Sequence, residues 1–291
     1  MNRHRADIDP PWSLDGWRSA ARAALCADLA PEQIDWDSDA QASLLPAPSV
    51  FDAPALRPVP AVPAGLFELA EAALCHRDPL RHGLLYRIAW RIVHGEKHLL
   101  ARVTDPDVRR AHELAKAVGR DTHKMKAFVR FRAVPGEHEA YIAWFEPSHW
   151  IVDRVAPFFA RRFAGMRWAI LTPDRSVLWD GHALAFGRGA ERADAPGDDA
   201  HEDLWRTYYA SIFNPARLNP RMMRQEMPQK YWKHLPEAHL LPELVRTAGA
   251  RVREMQEREA QAPRRRIPGR TQAAPRDRDA DAPPAGLPEN A

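Results

Sequence analysis

Hydrophobic and polar positions alternate along this chain with two different periods, and the change of period divides it. Up to about residue 118 the apolar residues recur three and four positions apart, the spacing of one face of an α-helix. One such set is Trp17, Ala21, Ala24, Leu25 and Leu29, with Ser13 or Asp15 as its cap and Pro31 as its stop. A second is Leu66, Leu69, Ala70, Ala73 and Leu74. A third, opened by Pro79, is Leu84, Leu85, Ile88, Ala89, Ile92 and Val93, the most hydrophobic helix in the chain. A fourth starts at Thr104-Asp105-Pro106-Asp107 and carries Val108, Ala111, Ala115 and Val118. Gln33 to Trp36 reads as a short strand.

From Lys126 the period becomes two. Ala127, Val129, Phe131 and Ala133 fall on one side, Lys126, Phe128, Arg130 and Arg132 on the other, which predicts a strand over Lys126–Val134 with a basic outer face. Pro135 to His138 is a turn, and Glu139–Phe145 is a second strand. A helix follows from Ser148 to about Phe163. Met166–Thr172 and Val177–Asp180 are two more strands around the turn Pro173–Ser176. The expected fold class is α+β: a central β-β-α-β-β antiparallel sheet packed with helices from both flanks. Gly187–Asp199 reads as a loop, Glu202–Phe213 as a helix, Met222–Leu235 as a Met-rich helix and turn, and Glu237–Gln256 as the last helix. Residues 1–261 are read as a single domain. Within it, 37–63 is a proline-rich linker or wrap, and 262–291 is a disordered tail whose apolar content collapses.

Charge changes the picture locally and not globally. The net charge is +3 with a pI near 9.0, so attraction to a polyanion must come from where the cations stand. Arg120 to Val134 concentrates them: Arg120, Lys124, Lys126, Arg130 and Arg132 face the single acid Asp121. A second cluster is Arg161, Arg162 and Arg167 with Trp168 beside it. A third is Lys230-Tyr231-Trp232-Lys233, two aromatics bracketed by lysines. Cations beside stacking rings are what a phosphate backbone with unpaired bases requires, so these residues are the candidate nucleic-acid contacts.

Candidate chemistry is thinner. His123 sits among cations that disfavour its charged form, which suits a neutral acid/base, and Glu146 and Asp180 at strand ends are its candidate charged partners. No phosphate-binding loop, dinucleotide fingerprint, nucleophile elbow or His-Glu-x-x-His pair is present, so no cofactor and no metal is expected. The two cysteines, Cys26 and Cys75, stand far apart in helical patterns and read as free thiols of a reducing compartment. With no apolar leader and no stretch of membrane-spanning length, the chain is expected to be cytoplasmic.

Six phrases occur together in order: DGWR (Asp15–Arg18), RDTHKMKAFVRFR (Arg120–Arg132), WFEPSHWIV (Trp144–Val152), FARRFAGMRWAILTPDRSVLWDG (Phe159–Gly181), LWRTYYASIFNPAR (Leu204–Arg217) and MPQKYWKHLPEA (Met227–Ala238). From about Asp15 to Gln256 the chain resembles a bacterial family described as DNA metabolism or DNA repair proteins and built on a domain of unknown function. The resemblance implies company more than chemistry. Its members stand beside a radical-SAM protein, and some relatives are fused to a uracil-DNA-glycosylase-like domain. This chain has neither the three-cysteine radical-SAM motif nor the glycosylase blocks. The expectation is a DNA-binding accessory of such a partner. The alternatives are an enzyme acting on damaged nucleic acid through His123, and an adaptor whose Trp205–Trp232 region is a protein interface.

Overall fold

The computed structural model describes residues 3–36, 47–134, 140–195, 219, 222–223 and 227–257. Helix α1, Leu14–Cys26, is capped by the Ser13 hydroxyl, which accepts the Gly16 N–H at 3.0 Å. Helices α2 (Ala64–Ala73), α3 (Arg81–Val93) and α4 (Pro106–Phe128) follow. Their predicted apolar faces meet in one core that includes Trp17, Leu66, Leu85, Tyr86, Ile88, Val108 and Leu114. A short parallel pair, β1 (His4–Arg5) with β2 (Ile34–Asp35), closes its edge. The Ile34 strand was legible in the pattern; its partner, two residues long, was not.

The second layer is a five-stranded sheet of β3 (Arg132–Ala133), β4 (Ala140–Trp144), β5 (Arg167–Leu171), β6 (Arg175–Trp179) and β7 (Leu184–Arg188), ordered as they come along the chain. Helix α5, Val152–Arg162, lies between β4 and β5. The α+β class stands, with two differences from the expected sheet. β4 and β5 run parallel, because a helical crossover carries the chain back to the end where β4 began. A fifth strand, β7, pairs antiparallel with β6; its Leu-Ala-Phe-Gly-Arg sequence carries too little alternation to announce it. Ala133, Tyr141, Trp168, Trp179 and Leu184 share the face packed on α5. Arg132, Ile142, Ala169, Leu178 and Ala185 share the opposite face, where Leu178 is 48% exposed.

The largest correction concerns Lys126–Val134. Lys126, Ala127 and Phe128 are the last residues of α4, and only Arg132–Ala133 is strand. The buried set of α4 is Val108, Ala111, Leu114, Val118, Asp121 and Met125, so the period of three and four runs unbroken past Arg120. Lys, Met and Ala are also among the better helix formers. That long pattern outweighs four alternating residues at its end. α4 thereby joins both cores. Val108, Ala111 and Leu114 belong to the helical one, whereas Val118 and Met125 pack with Phe145, Val155, Phe159, Trp168 and Ile170 under the sheet.

The last described segment is a 3-10 turn at Gln229–His234, another at Pro236–Leu240, and α6, Leu241–Glu257, in which Leu241, Leu244 and Ala248 are buried as the stripe predicted. The predicted helix Glu202–Phe213 and tail 262–291 lie outside the described residues.

Candidate functional site

Helix α4 carries two different charge arrangements. At its start Asp105 caps it, accepting N–H bonds from Asp107 and Val108 at 3.0 and 3.2 Å. Arg91 of α3 reaches Glu96, Asp105 and Asp107 at 2.8, 2.6 and 3.0 Å, and Arg87 forks onto Asp107 at 2.8 Å. Arg110 meets Asp78 at 2.6 Å, and Arg109 lies near Glu113 at 3.8 Å. Every arginine of this half has a carboxylate. These contacts hold the Asp105 and Asp107 carboxyls below their usual range, through the hydrogen bonds of Arg91 and Arg87 respectively.

After Glu113 the pattern changes. Lys116, Arg120, His123 and Lys126 are exposed and Lys124 is half-buried, and none of them forms an ion pair among the described residues. At 3.6 residues per turn, Lys116, Arg120 and His123 stand in one line, with Lys124 and Lys126 on either side of it at roughly 80°. Complementing the negative end of the helix dipole accounts for cations in a last turn. It does not account for Lys116 and Arg120, which stand two or more turns earlier.

The acid within that stretch, Asp121, points inward and is 4% exposed. Its carboxylate accepts the N–H groups of Ser148 and His149 at 2.7 and 3.0 Å and the Tyr231 hydroxyl at 3.0 Å. Tyr231 stacks on Phe145 with ring centres 5.1 Å apart and tilts against Phe128 at 5.6 Å. Burial and the Asp121 charge both push its phenol upward. Lys230 donates to the Ser148 hydroxyl and lies 4.6 Å from the Tyr231 ring centre. Beside them the His149 and His76 rings lie 4.2 Å apart. Burial lowers both: His149 goes to about 4, helped by His76, and His76 itself moves below the ordinary value. This junction fastens the Lys230–Tyr231 turn and the loop before α5 to the inner side of α4. Asp121 binds the backbone of His149 and not its ring, so its contacts set up no carboxylate–imidazole relay.

The predicted site residues thus separate. Arg120, Lys124, Lys126 and His123 come together on α4. Arg161 and Arg162 are exposed at the end of α5, Arg162 lying 5.3 Å from the Phe163 ring centre. Arg132 and Arg167 share the outer sheet face, and Arg130 donates to the Ala127 and Val129 carbonyls at 2.7 and 3.2 Å at the helix end. Two stacking candidates are corrected. Trp168 is 1% exposed and Tyr231 2%, both packed in the core, and the half-buried Trp232 donates to the Met227 carbonyl at 2.9 Å. The Lys233 side chain lies outside the described residues. Of the acid candidates, Glu146 accepts from the Trp144 indole at 3.0 Å. Asp180 accepts the Ala183 and His182 N–H groups at 2.7 Å each, which lowers its carboxyl and marks it as a turn former. No hydrogen bond or ion pair among the described residues joins His123, Glu146 and Asp180. Lys116 was missed, although its spacing to Arg120 and His123 is visible once the helix is extended.

Among the described residues no helix is long and apolar enough to cross a membrane, and no three His, Cys, Asp or Glu side chains gather as a metal site. The chain belongs to the family of the domain of unknown function DUF4130, whose profile matches residues 79–237, more than half of the chain. No curated protein and no solved structure matches it.

Proposed function

We propose that this protein binds nucleic acid through the outer face of the second half of α4, as an accessory in DNA metabolism or repair. The observation that carries the reading is that the cations Lys116, Arg120, Lys124 and Lys126, with His123 among them, have no carboxylate partner among the described residues, on a helix whose first half pairs every arginine. Unpaired cations in a row suit a phosphate backbone, where each contact releases a counterion. With Trp168 and Tyr231 in the core, the contact is to phosphates and carries little base readout. The role beside a radical-SAM or uracil-DNA-glycosylase-like partner, in a cytoplasmic setting, rests on the sequence resemblance and on the free thiols Cys26 and Cys75. In this reading the partner supplies the chemistry.

The test is a quadruple variant, Lys116→Gln, Arg120→Gln, Lys124→Gln and Lys126→Gln, compared with wild type on single- and double-stranded oligonucleotides across a salt series. Affinity at low salt should fall by about 100-fold or more. The slope of log K against log salt for duplex should shrink by roughly 3–4, close to one per lost contact. Wild-type affinity and slope in a folded variant would overturn the reading.

A further inference from the structure

A cavity of about 180 Å³ opens between α1, the start of α2 and the proline-rich segment before it. Trp17, Ala21, Leu25, Val62 and Phe67 give it an apolar wall. The polar atom of Trp17 is already spent, donating to the His82 carbonyl at 3.2 Å. Val59, on the outer side, is 61% exposed, so an apolar wall faces solvent there.

Two cations stand at this cavity. Arg18 has its guanidinium 4.6 Å from the Phe67 ring centre, which leaves the planar fork beside the apolar wall. Among the described residues its Nε is buried without a hydrogen-bond partner, and its one carboxylate contact, to the almost fully exposed Asp15, is long at 3.8 Å. Arg22, one turn on, is exposed and forms no ion pair among the described residues. The cavity therefore offers an apolar body site of ring size with an unfilled guanidinium beside it. An apolar cavity of this order accepts a small aromatic molecule, and a guanidinium matches a carboxylate with two parallel N–H bonds.

We infer that this cavity binds a small monocarboxylate with an apolar aryl or branched-alkyl body, the ring against Trp17 and Phe67 and the carboxylate on Arg18 with support from Arg22. A neutral apolar molecule fills the wall but leaves the Arg18 donor unanswered, so the charge should decide affinity. The site lies on α1 and is independent of the α4 face proposed to bind nucleic acid.

The experiment uses the full chain and two probes that share a naphthyl body, the anionic 2-naphthoate and the neutral 2-naphthylmethanol, titrated by calorimetry. Naphthoate should bind saturably and at least tenfold more tightly than the alcohol. Arg18→Gln should remove that preference and leave the alcohol unchanged. Ala21→Leu, which narrows the cavity from a helical position, should weaken both probes at least tenfold with the melting temperature checked alongside; Arg22→Gln should weaken naphthoate alone. Saturating naphthoate should leave oligonucleotide affinity untouched, which separates this site from the basic face. No saturable binding, equal affinity for acid and alcohol, or full naphthoate affinity in Arg18→Gln overturns the inference.

Discussion

The two halves of α4 differ in what their charges are for. Around the first, Arg87 and Arg91 of α3 and Arg110 of α4 itself spend their guanidinium groups on Asp78, Glu96, Asp105 and Asp107, so attraction is satisfied inside the protein and the helix is tied to α3 and to the turn after α2. In the second, the cations face outward and the single acid faces inward, consumed by two backbone N–H groups and a phenol. One helix thus serves as a brace at one end and a charged ridge at the other. Net charge cannot reveal this, because it averages the two.

The sharpest way to break the comparison is from beneath the ridge. Asp121→Ala leaves the Ser148 and His149 N–H groups and the Tyr231 hydroxyl without their acceptor in a buried site. Unsatisfied donors of this kind cost about 1–3 kcal/mol each before relaxation, so the expected loss of stability is ~3–4 kcal/mol. Asp121→Asn, which keeps one acceptor oxygen, should lose about half of that, and Tyr231→Phe ~1 kcal/mol. Urea unfolding measures all three. A loss below ~1 kcal/mol for Asp121→Ala would mean that the junction does not hold the Lys230–Tyr231 turn to α4.

A smaller effect is expected at the brace. Arg91 is a quarter exposed and serves three carboxylates, so Arg91→Met removes the hub of a network and leaves Asp105 without its guanidinium beside Glu96 and Asp107, which keep Arg102 and Arg87. The expected cost is ~2 kcal/mol, above that of an isolated surface pair because several charges act together. Oligonucleotide affinity should stay within about twofold of wild type, since a charge already neutralised by carboxylates releases few counterions. If Arg91→Met instead weakened nucleic-acid binding as the α4 quadruple variant is expected to, the division into brace and ridge would be wrong.

How much of this was legible in the sequence follows from the length of each pattern. The four N-terminal helices and the last one carry apolar stripes over ten residues or more, and the structure has them all. Short elements with weak alternation, such as β1 and β7, left no trace. The error that mattered lay at the join of two periods. Met125 completes the helical stripe, while the alternation of Ala127, Val129, Phe131 and Ala133 extends the short strand Arg132–Ala133 backwards into the helix and so puts Lys126 on a sheet face instead of a helix face. The identity of the basic residues as the most charged stretch survived; their geometry did not. In the sequence Asp121 reads as the lone opposing charge, because nothing local says that a carboxylate will find Tyr231 110 positions later.

Acid should separate the two halves a last time, by pH range. Under the ridge, His149 has a folded value near 4 against an ordinary 6.5. An imidazole lowered by folding is protonated in the unfolded chain first, so stability is intact above about 6.5 and is lost as pH falls towards 4. His149 is only half-buried, and discounting for solvent leaves an expected effect of ~1 kcal/mol. The brace behaves in the opposite part of the range. Asp105 and Asp107 are lowered from an ordinary 3.8 and Glu96 from 4.5, so their contribution is present above those values and is lost only below them. Between pH 6.5 and 5 the loss should therefore come from imidazoles, and His149→Gln should flatten part of it while Arg91→Met leaves it unchanged. Unfolding free energies of the three proteins at pH 7, 5 and 3.5 measure this directly. An equal loss between pH 7 and 5 in wild type and His149→Gln would show that His149 titrates normally and that the junction under the ridge is open to water.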